Sequence, residues 1–248
     1  GPNTAISVND IVLWMGQENF YLYDGRIQTI PCSVREYVFN DINRNQSFKF
    51  FSGSLSSNSE VWWYYCSESS DEIDRYVIYN YLEKVWYYGT LTRTAWNDRG
   101  AGNRLFPQSP GTDGVLYNHE NGLDDGSQNP PTAINAFIQS ADFDIGDGQQ
   151  FMLMNRIIPD LNFSDSVASA PQVTFTMGTR NYNGSAAQTT ENGNVIRSSV
   201  VSGTDNYTEQ VQMRLRGRQM NLKVESNTTG VKWRLGNPRL DVRPDGRR

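Results

Sequence analysis

The chain has 248 residues, a net charge of −5 and 37% hydrophobic residues, enough for one large all-β domain or two smaller ones with real cores. No apolar run approaches the roughly 18 residues of a membrane-spanning helix, and no leader pattern is present, so no membrane span is expected. Aromatics reach 12%, with 13 Tyr, 11 Phe and 6 Trp, while helical i, i+3, i+4, i+7 patterns are nearly absent; together these predict an all-β class. Gly1-Pro2 reads as a remnant left by a specific protease, which makes the chain a piece of a longer one.

In chain order, Ile11 to Trp14 and Phe20 to Tyr23 predict strands around a turn at Gly16. Asp24-Gly25 between apolar runs predicts a two-residue type I′ hairpin with Ile27 and Ile30 on the return strand. Val34 to Phe39 fits a strand or one helical turn, 41–46 is polar and turn-like, and Phe48 to Phe51 opens another strand. EVWWYYC (60–66), RYVIYNY (75–81) and Val85 to Tyr88 are aromatic strands, with Leu82-Glu83-Lys84 as a tight turn. FYLYDG, YVIYNYLEKVWYYG and VLYNHENG share one plan, an aromatic strand and a turn near glycine, which predicts propeller-like antiparallel meanders over 3–131. Ala101 to Gly114 reads as a loop, and DDGSQNPP (124–131) as the break between domains.

Beyond it, 132–248 alternates with period two. Ala136 to Ser140 is a strand, and FMLMNRIIP (151–159) a central one. Val173 to Met177 and Gln210 to Arg216 alternate, the latter with Val211, Met213 and Leu215 on one face and Gln212, Arg214 and Arg216 on the other. Met220, Leu222, Val224 and then Val231 to Leu235 continue the pattern, which predicts a C-terminal β-sandwich of about seven or eight strands.

Cys32 and Cys66 follow no metal spacing and read as free thiols inside strands. From Val211 onward ten basic residues, ending with Arg247 and Arg248, face three acids, a local +7 that leaves −12 for the rest. Arg214, Arg216, Arg218 and Arg234 are therefore candidate binding residues for a polyanion or an acidic partner, against the plain reading that they are solvated strand faces.

Signs of catalysis are sparse. His119 is the single histidine, and no nucleophile elbow, Walker loop or HExxH helix occurs. Asp71, Glu72, Asp74, Asp124 and Asp125 are carboxylates of the type a glycosidase pairs, but they sit in acidic turns. Asp142, Asp144 and Asp147 resemble a calcium loop; the twelfth position from Asp142 is Leu153 where an EF-hand needs Glu, so turn structure is the preferred reading. Trp62 to Tyr65 alternate faces, so core packing is favoured over a stacking platform for sugars or bases. No cofactor and no enzymatic activity are expected.

DRYVIYNYLEKVWYYGTLTRTAWNDRG (74–100), ADFDIGDGQQFMLMNRIIPDLNF (141–163) and RLRGRQMNLKVESNTTGVKWRLGNPRLDVRPDGRR (214–248) resemble segments of tailed-bacteriophage virion proteins, among them the propeller-bearing tail nozzle and packaged-DNA stabilisation proteins of short-tailed phages. The likeness spans most of the chain from about Val12, and its closing Arg-Pro-Asp-Gly-Arg-Arg looks like a natural C-terminus. The resemblance implies a structural component of the tail or head–tail connector, made in the host cytoplasm and located in the virion. Its implied partners are portal, adaptor or tail subunits, further copies in a ring, and packaged DNA bound without sequence preference. It brings no catalytic residues. A receptor- or carbohydrate-binding tail module is the alternative, and would place Trp14, Trp62 or Trp86 in one exposed groove.

Overall fold

A computed structural model describes residues 1–100, 105–126, 128–182, 184–185, 197–202 (backbone only) and 210–247. Strands make up 45% of it and helix 6%, and none of its several antiparallel sheets closes on itself, so the all-β class holds. The chain divides into two compact units, Gly1–Asn121 and Gly122–Arg248. The 124–131 stretch read as the break falls inside the second unit. There the Asp124 carboxylate accepts the Gly230 N–H at 2.7 and 2.9 Å, and Asp125 bridges to Thr132.

The first unit starts with β1 (Ala5–Val8), β2 (Ile11–Met15), β3 (Phe20–Tyr23) and β4 (Ile27–Ile30), paired in sequence order. The type I′ signature lies not at Asp24-Gly25 but at Asn9-Asp10, where φ is 45° and 64° and Val8 pairs directly with Ile11. At Asp24-Gly25 only the glycine has positive φ, Tyr23 pairs with Ile27 across a three-residue loop, and the Asp24 carboxylate accepts from Gln28 Nε2 at 2.9 Å. Val34 to Phe39 resolves as a short helix, α1 (Arg35–Asn40), which buries Val38 and Phe39. Residues 44–49, expected as turn and strand start, form a 3-10 helical turn opened by the Asn43 side chain accepting from Asn45 N at 3.2 Å.

A second meander follows: β5 (Phe51–Leu55), β6 (Glu60–Tyr65), β7 (Arg75–Asn80) and β8 (Val85–Thr90), again in sequence order. A third and smaller one joins residues 94–97 to β9 (Gln108–Pro110) and β10 (Leu116–Asn118). Val61 to Cys66 are buried without a break, because both faces of β6 are covered. On one face Trp63 meets Phe20 and Trp86, with ring centroids 5.0 and 6.1 Å apart. On the other Trp62 stacks on Tyr76 and Trp96 at 5.0 and 5.3 Å, and Tyr64 lies on Phe51 at 4.6 Å. Cys32 and Cys66 are free thiols, each pushed up to about 11 chiefly by burial.

Gly53 sits mid-strand in β5, where glycine ordinarily weakens a strand. Its reason is Trp96: a Cβ at this position would overlap the indole, whose Nε1 donates to Ser54 O at 2.8 Å. Gly53→Ala is expected to destabilise the first unit by about 1–3 kcal/mol through overpacking. The urea midpoint followed by tryptophan fluorescence measures it, and an unchanged midpoint would mean that Trp96 can leave the strand at little cost.

In the second unit β11 (Ala136–Gln139), β12 (Met152–Ile158), β13 (Leu161–Asn162), β14 (Gln172–Arg180), β15 (Arg197–Ser202), β16 (Val211–Gly217), β17 (Gln219–Ser226), β18 (Arg234–Leu235) and β19 (Arg239–Pro244) make three antiparallel sheets. Their orders are β11-β17-β14-β15, β16-β12-β19 and β13-β18. The alternation expected beyond Val231 reduces to the two residues of β18. One apolar cluster gathers Met152, Met154 and Ile157 from β12, Val173, Phe175 and Met177 from β14, Val211, Met213 and Leu215 from β16, and Met220, Leu222 and Val224 from β17. The chain passes from the three-stranded to the four-stranded sheet at Gly217-Arg218, between β16 and β17.

Candidate functional site

The three-stranded sheet turns one face to the core and the other outward, and period-two alternation sorts its residues. In β16, Val211, Met213, Leu215 and Gly217 are buried, while Gln212, Arg214 and Arg216 are exposed. In β19, Leu240 and Val242 pack on the core, which puts Arg239, Asp241 and Arg243 outside. In β12 the register to both neighbours shifts between Met154 and Arg156: against β19, which advances only from Val242 to Asp241, Asn155 is the extra residue, whereas against β16, which advances from Leu215 to Gln212, the extra residue lies on β16. That bulge lets Met152, Met154 and Ile157 all face inward and turns Arg156 outward. Strict alternation from Met152 would have aimed Arg156 into the core.

The outer face is thus read in rows. Arg216, Leu153 and Arg243 lie side by side, as do Gln212, Arg156 and Asp241, and Ile158 adjoins Arg239. Neighbours on one strand of such a face stand about 7 Å apart and adjacent strands about 4.8 Å. Five guanidiniums (Arg156, Arg214, Arg216, Arg239, Arg243) share this face with Asp241, with Asp245 beyond its edge. Asp241 lies 3.3 Å from Arg156 and 3.5 Å from Arg243, and Asp245 lies 2.5 Å from Arg216. Two carboxylates cannot neutralise five fixed cations, and the Arg243 side chain remains 70% exposed. The Arg216 guanidinium lies flat over Phe151 at 3.9 Å, which fixes its position. Past Arg239 the face meets an open groove of roughly 370 Å³ lined by Ile158, Pro159, Asp160 and Asn237.

The candidates taken from the sequence divide. Arg214 and Arg216 lie on the face. Arg218 does not: its guanidinium donates to the carbonyls of Gln149, Asn181 and Arg247 at 3.2, 2.9 and 3.3 Å, and lies over Phe151 and Tyr182. It fastens the corner between two sheets. Arg234 stands on the separate β13-β18 pair, 3.9 Å from Asp165. Arg248 lies outside the described residues. Arg156, Arg239 and Arg243 were not singled out from the sequence. The alternation of β19 had a signal for two of them, and the bulge that exposes Arg156 had none.

Asp142, Asp144 and Asp147 are not gathered. Asp142 accepts from Asn221 Nδ2 at 2.7 Å and pairs with Arg180 at 2.8 Å, while Asp147 lies 3.8 Å from Arg247. No strand runs through them; only Phe143 bridges, to Met220, and Phe143 and Ile145 point to the core. Among the described residues no three His, Cys, Asp or Glu side chains come together to hold a metal ion. The other acidic turns have local partners: Asp74 accepts from Ser67 N and Oγ at 2.7 Å, Asp71 from the Gln46 side chain at 2.9 Å, and Glu72 pairs with Lys49 at 2.6 Å. The three tryptophans of the carbohydrate reading are not assembled into a groove. Trp14 stacks on Tyr21, Trp62 is 8% exposed, and Trp86 packs on Phe20 and donates to Pro31 O.

His119 lies against Trp96 with ring centroids 4.9 Å apart, and its Nε2 accepts from Arg93 Nε at 3.1 Å. A general base needs that lone pair for a nucleophile's proton. Burial, and then the Arg93 charge, hold the imidazole down at about 4. In the unfolded chain it titrates at about 6.5, so the unfolded state takes up the proton more readily. The contribution of neutral His119 to stability is therefore complete above about 6.5 and is lost as the pH falls toward about 4. Urea midpoints of the first unit at pH 7 and pH 5 should differ more in the native chain than in His119→Asn, and equal differences would clear the imidazole.

Compared with known proteins, the chain matches no family model and no curated protein.

Proposed function

We propose that this chain is a non-enzymatic structural component of a bacteriophage virion, belonging to the tail or head–tail connector and acting through its surfaces around the DNA channel. The observation that carries this reading is the outer face of β16-β12-β19, where five arginines lie on a rigid sheet with one carboxylate among them. Such a face attracts a polyanion or an acidic subunit without any need for turnover. The resemblance of 74–100, 141–163 and 214–248 to virion proteins points the same way.

In this reading the first unit is part of a propeller. β1–β4 and β5–β8 each have the sequential four-stranded order of a blade, and their first strands come side by side at the parallel bridge Asn3–Phe51. The second unit is a β-sandwich, its two larger sheets sharing one apolar cluster. Portal, adaptor or tail subunits, further copies in a ring and packaged DNA are the proposed partners.

Light scattering on the chain alone, and mixed with purified portal, adaptor or tail-tube protein, tests the proposal. A ring-sized mass or a stable complex that weakens with added salt is the expected result. A chain that remains monomeric and joins none of these proteins would overturn it.

A further inference from the structure

β11 ends the four-stranded sheet and pairs on one side only, with β17. Its outer edge has no strand beside it among the described residues. An open edge is a row of unpaired backbone groups, and proteins usually guard it with charge, proline or a bulge. Here residues 132–141, TAINAFIQSA, contain no charged residue and no proline. The register from Ala136–Ser226 to Gln139–Lys223 continues to the Ser140–Leu222 hydrogen bond without a bulge.

Both faces of this edge are apolar and uncovered. Ile138 stands opposite Val224, on the core side of the sheet, yet is 54% exposed while Val224 is 1% exposed. Phe137 stands opposite Glu225 on the other side and is 50% exposed, with Lys223 Nζ 5.2 Å from its ring.

We infer that β11 is a homotypic pairing edge, at which two copies of this chain join antiparallel with Phe137 of one opposite Phe137 of the other. Backbone phase and side-chain matching together select this register. Ser140 N donates to Leu222 O at 2.8 Å, so alternation aims the backbone groups of Ala136 and Ile138 at β17 and those of Asn135, Phe137 and Gln139 outward. In a two-fold antiparallel pair, outward-aimed residues must meet outward-aimed residues. Every whole-residue centre satisfies this, and only a centre midway between two residues violates it, so the side chains choose among whole-residue centres. Centring on Ile138 pairs Ile138 with itself but sets Phe137 against Gln139 and Ala136 against Ser140. Centring on Gln139 sets Ile138 against Ser140. Centring on Phe137 sets Phe137 on Phe137, Ala136 on Ile138 and Asn135 on Gln139, which puts apolar groups on apolar groups on both faces.

The uncharged strand also favours its own copy as occupant. A strand bearing charge would repel itself in this geometry, and a strongly charged partner gains nothing from TAINAFIQSA. The contact is isologous and closes at two copies, so a ring would need a different, head-to-tail surface. The short strand makes the dimer concentration-dependent.

Sedimentation velocity on the whole 248-residue chain over a concentration series, in a Cys32→Ser background, tests this. Dimer should grow with concentration. Gln139→Pro removes an outward N–H and leaves the β17 hydrogen bonds intact, so it should give monomer at an unchanged thermal midpoint. Phe137→Lys, which places two charges at the two-fold, should do the same and serves if the proline variant misfolds. Phe137→Cys should form an intermolecular disulfide, because an opposed hydrogen-bonded pair places its Cα atoms about 5.5 Å apart, within bridging range. Gln139→Cys, which faces Asn135, should not link to itself. A monomer at every concentration, a dimer that survives Gln139→Pro, or equal cross-linking by the two cysteines would each overturn the inference. A ring or an adaptor complex that is unchanged by Gln139→Pro leaves the virion reading standing, so the two fail separately.

Discussion

Arg214→Glu, Arg239→Glu and Arg243→Glu together are expected to remove binding of the chain to a random-sequence DNA duplex at low salt. Each guanidinium on the face that neutralises a phosphate releases condensed counterion, and the logarithm of affinity falls with that of salt by about 0.9 per contact. Five contacts predict a slope near −4.5, and losing three should reduce it to about −2 while lowering affinity by at least ~100-fold. These three are chosen because all are exposed, Arg243 by 70% even beside Asp241, whereas Arg216 rests on Phe151 and pairs with Asp245, and Arg156 lies closer to Asp241 and is less exposed. Arg234→Glu, off the face beside Asp165, combined with Arg26→Glu and Lys84→Glu on exposed turns of the first unit, is the charge-matched control and should change little. Fluorescence anisotropy from about 20 to 200 mM salt reads both quantities. Equal losses from the triple variant and from the control would show that total charge, rather than this face, attracts the polyanion.

Trp63→Ala is the substitution expected to cost the first unit most. The side chain is fully buried between Phe20 and Trp86, and its Nε1 donates to Thr4 O at 2.8 Å. Truncating a buried tryptophan costs about 3–5 kcal/mol in lost transfer energy and cavity, and a buried carbonyl left without its donor adds about 1 kcal/mol. Against the 5–15 kcal/mol typical of a domain, that is a third or more of its stability. Hydrogen exchange should show protection lost across β5–β8 and retained in β14 and β17, whose apolar cluster is a separate one. Loss of protection throughout the chain would show the two units to be one cooperative whole. Trp63→Phe, which keeps most of the ring, should cost markedly less.

Local patterns carried much of this structure. The all-β class follows from aromatic and β-branched segments broken by turns, and the outward aim of Arg214 and Arg216 follows from the apolar phase of Val211, Met213 and Leu215, because side chains alternate about a strand. Turn geometry was less legible. Asn9-Asp10 took the positive φ pair that Asp24-Gly25 promised, since strand pairing, and not the dipeptide, decides how many residues a loop must span. Residues 44–49 turned as a 3-10 helix because their last residues lead into β5, which begins only at Phe51.

What the sequence determined by itself is therefore which residues are apolar, at what period, and on which strand the arginines fall. Tertiary structure decided which arginines share a surface. The bulge beside Asn155 turns Arg156 outward, pairing with β12 brings β16 and β19 to the same sheet, and the sheet corner ties Arg218 to three carbonyls. It also decided that Trp62 to Tyr65 are interior on both faces, because sheets cover β6 from either side. Period and composition are properties of neighbours along the chain, whereas register, bulges and sheet partners are set by contacts between residues far apart in sequence.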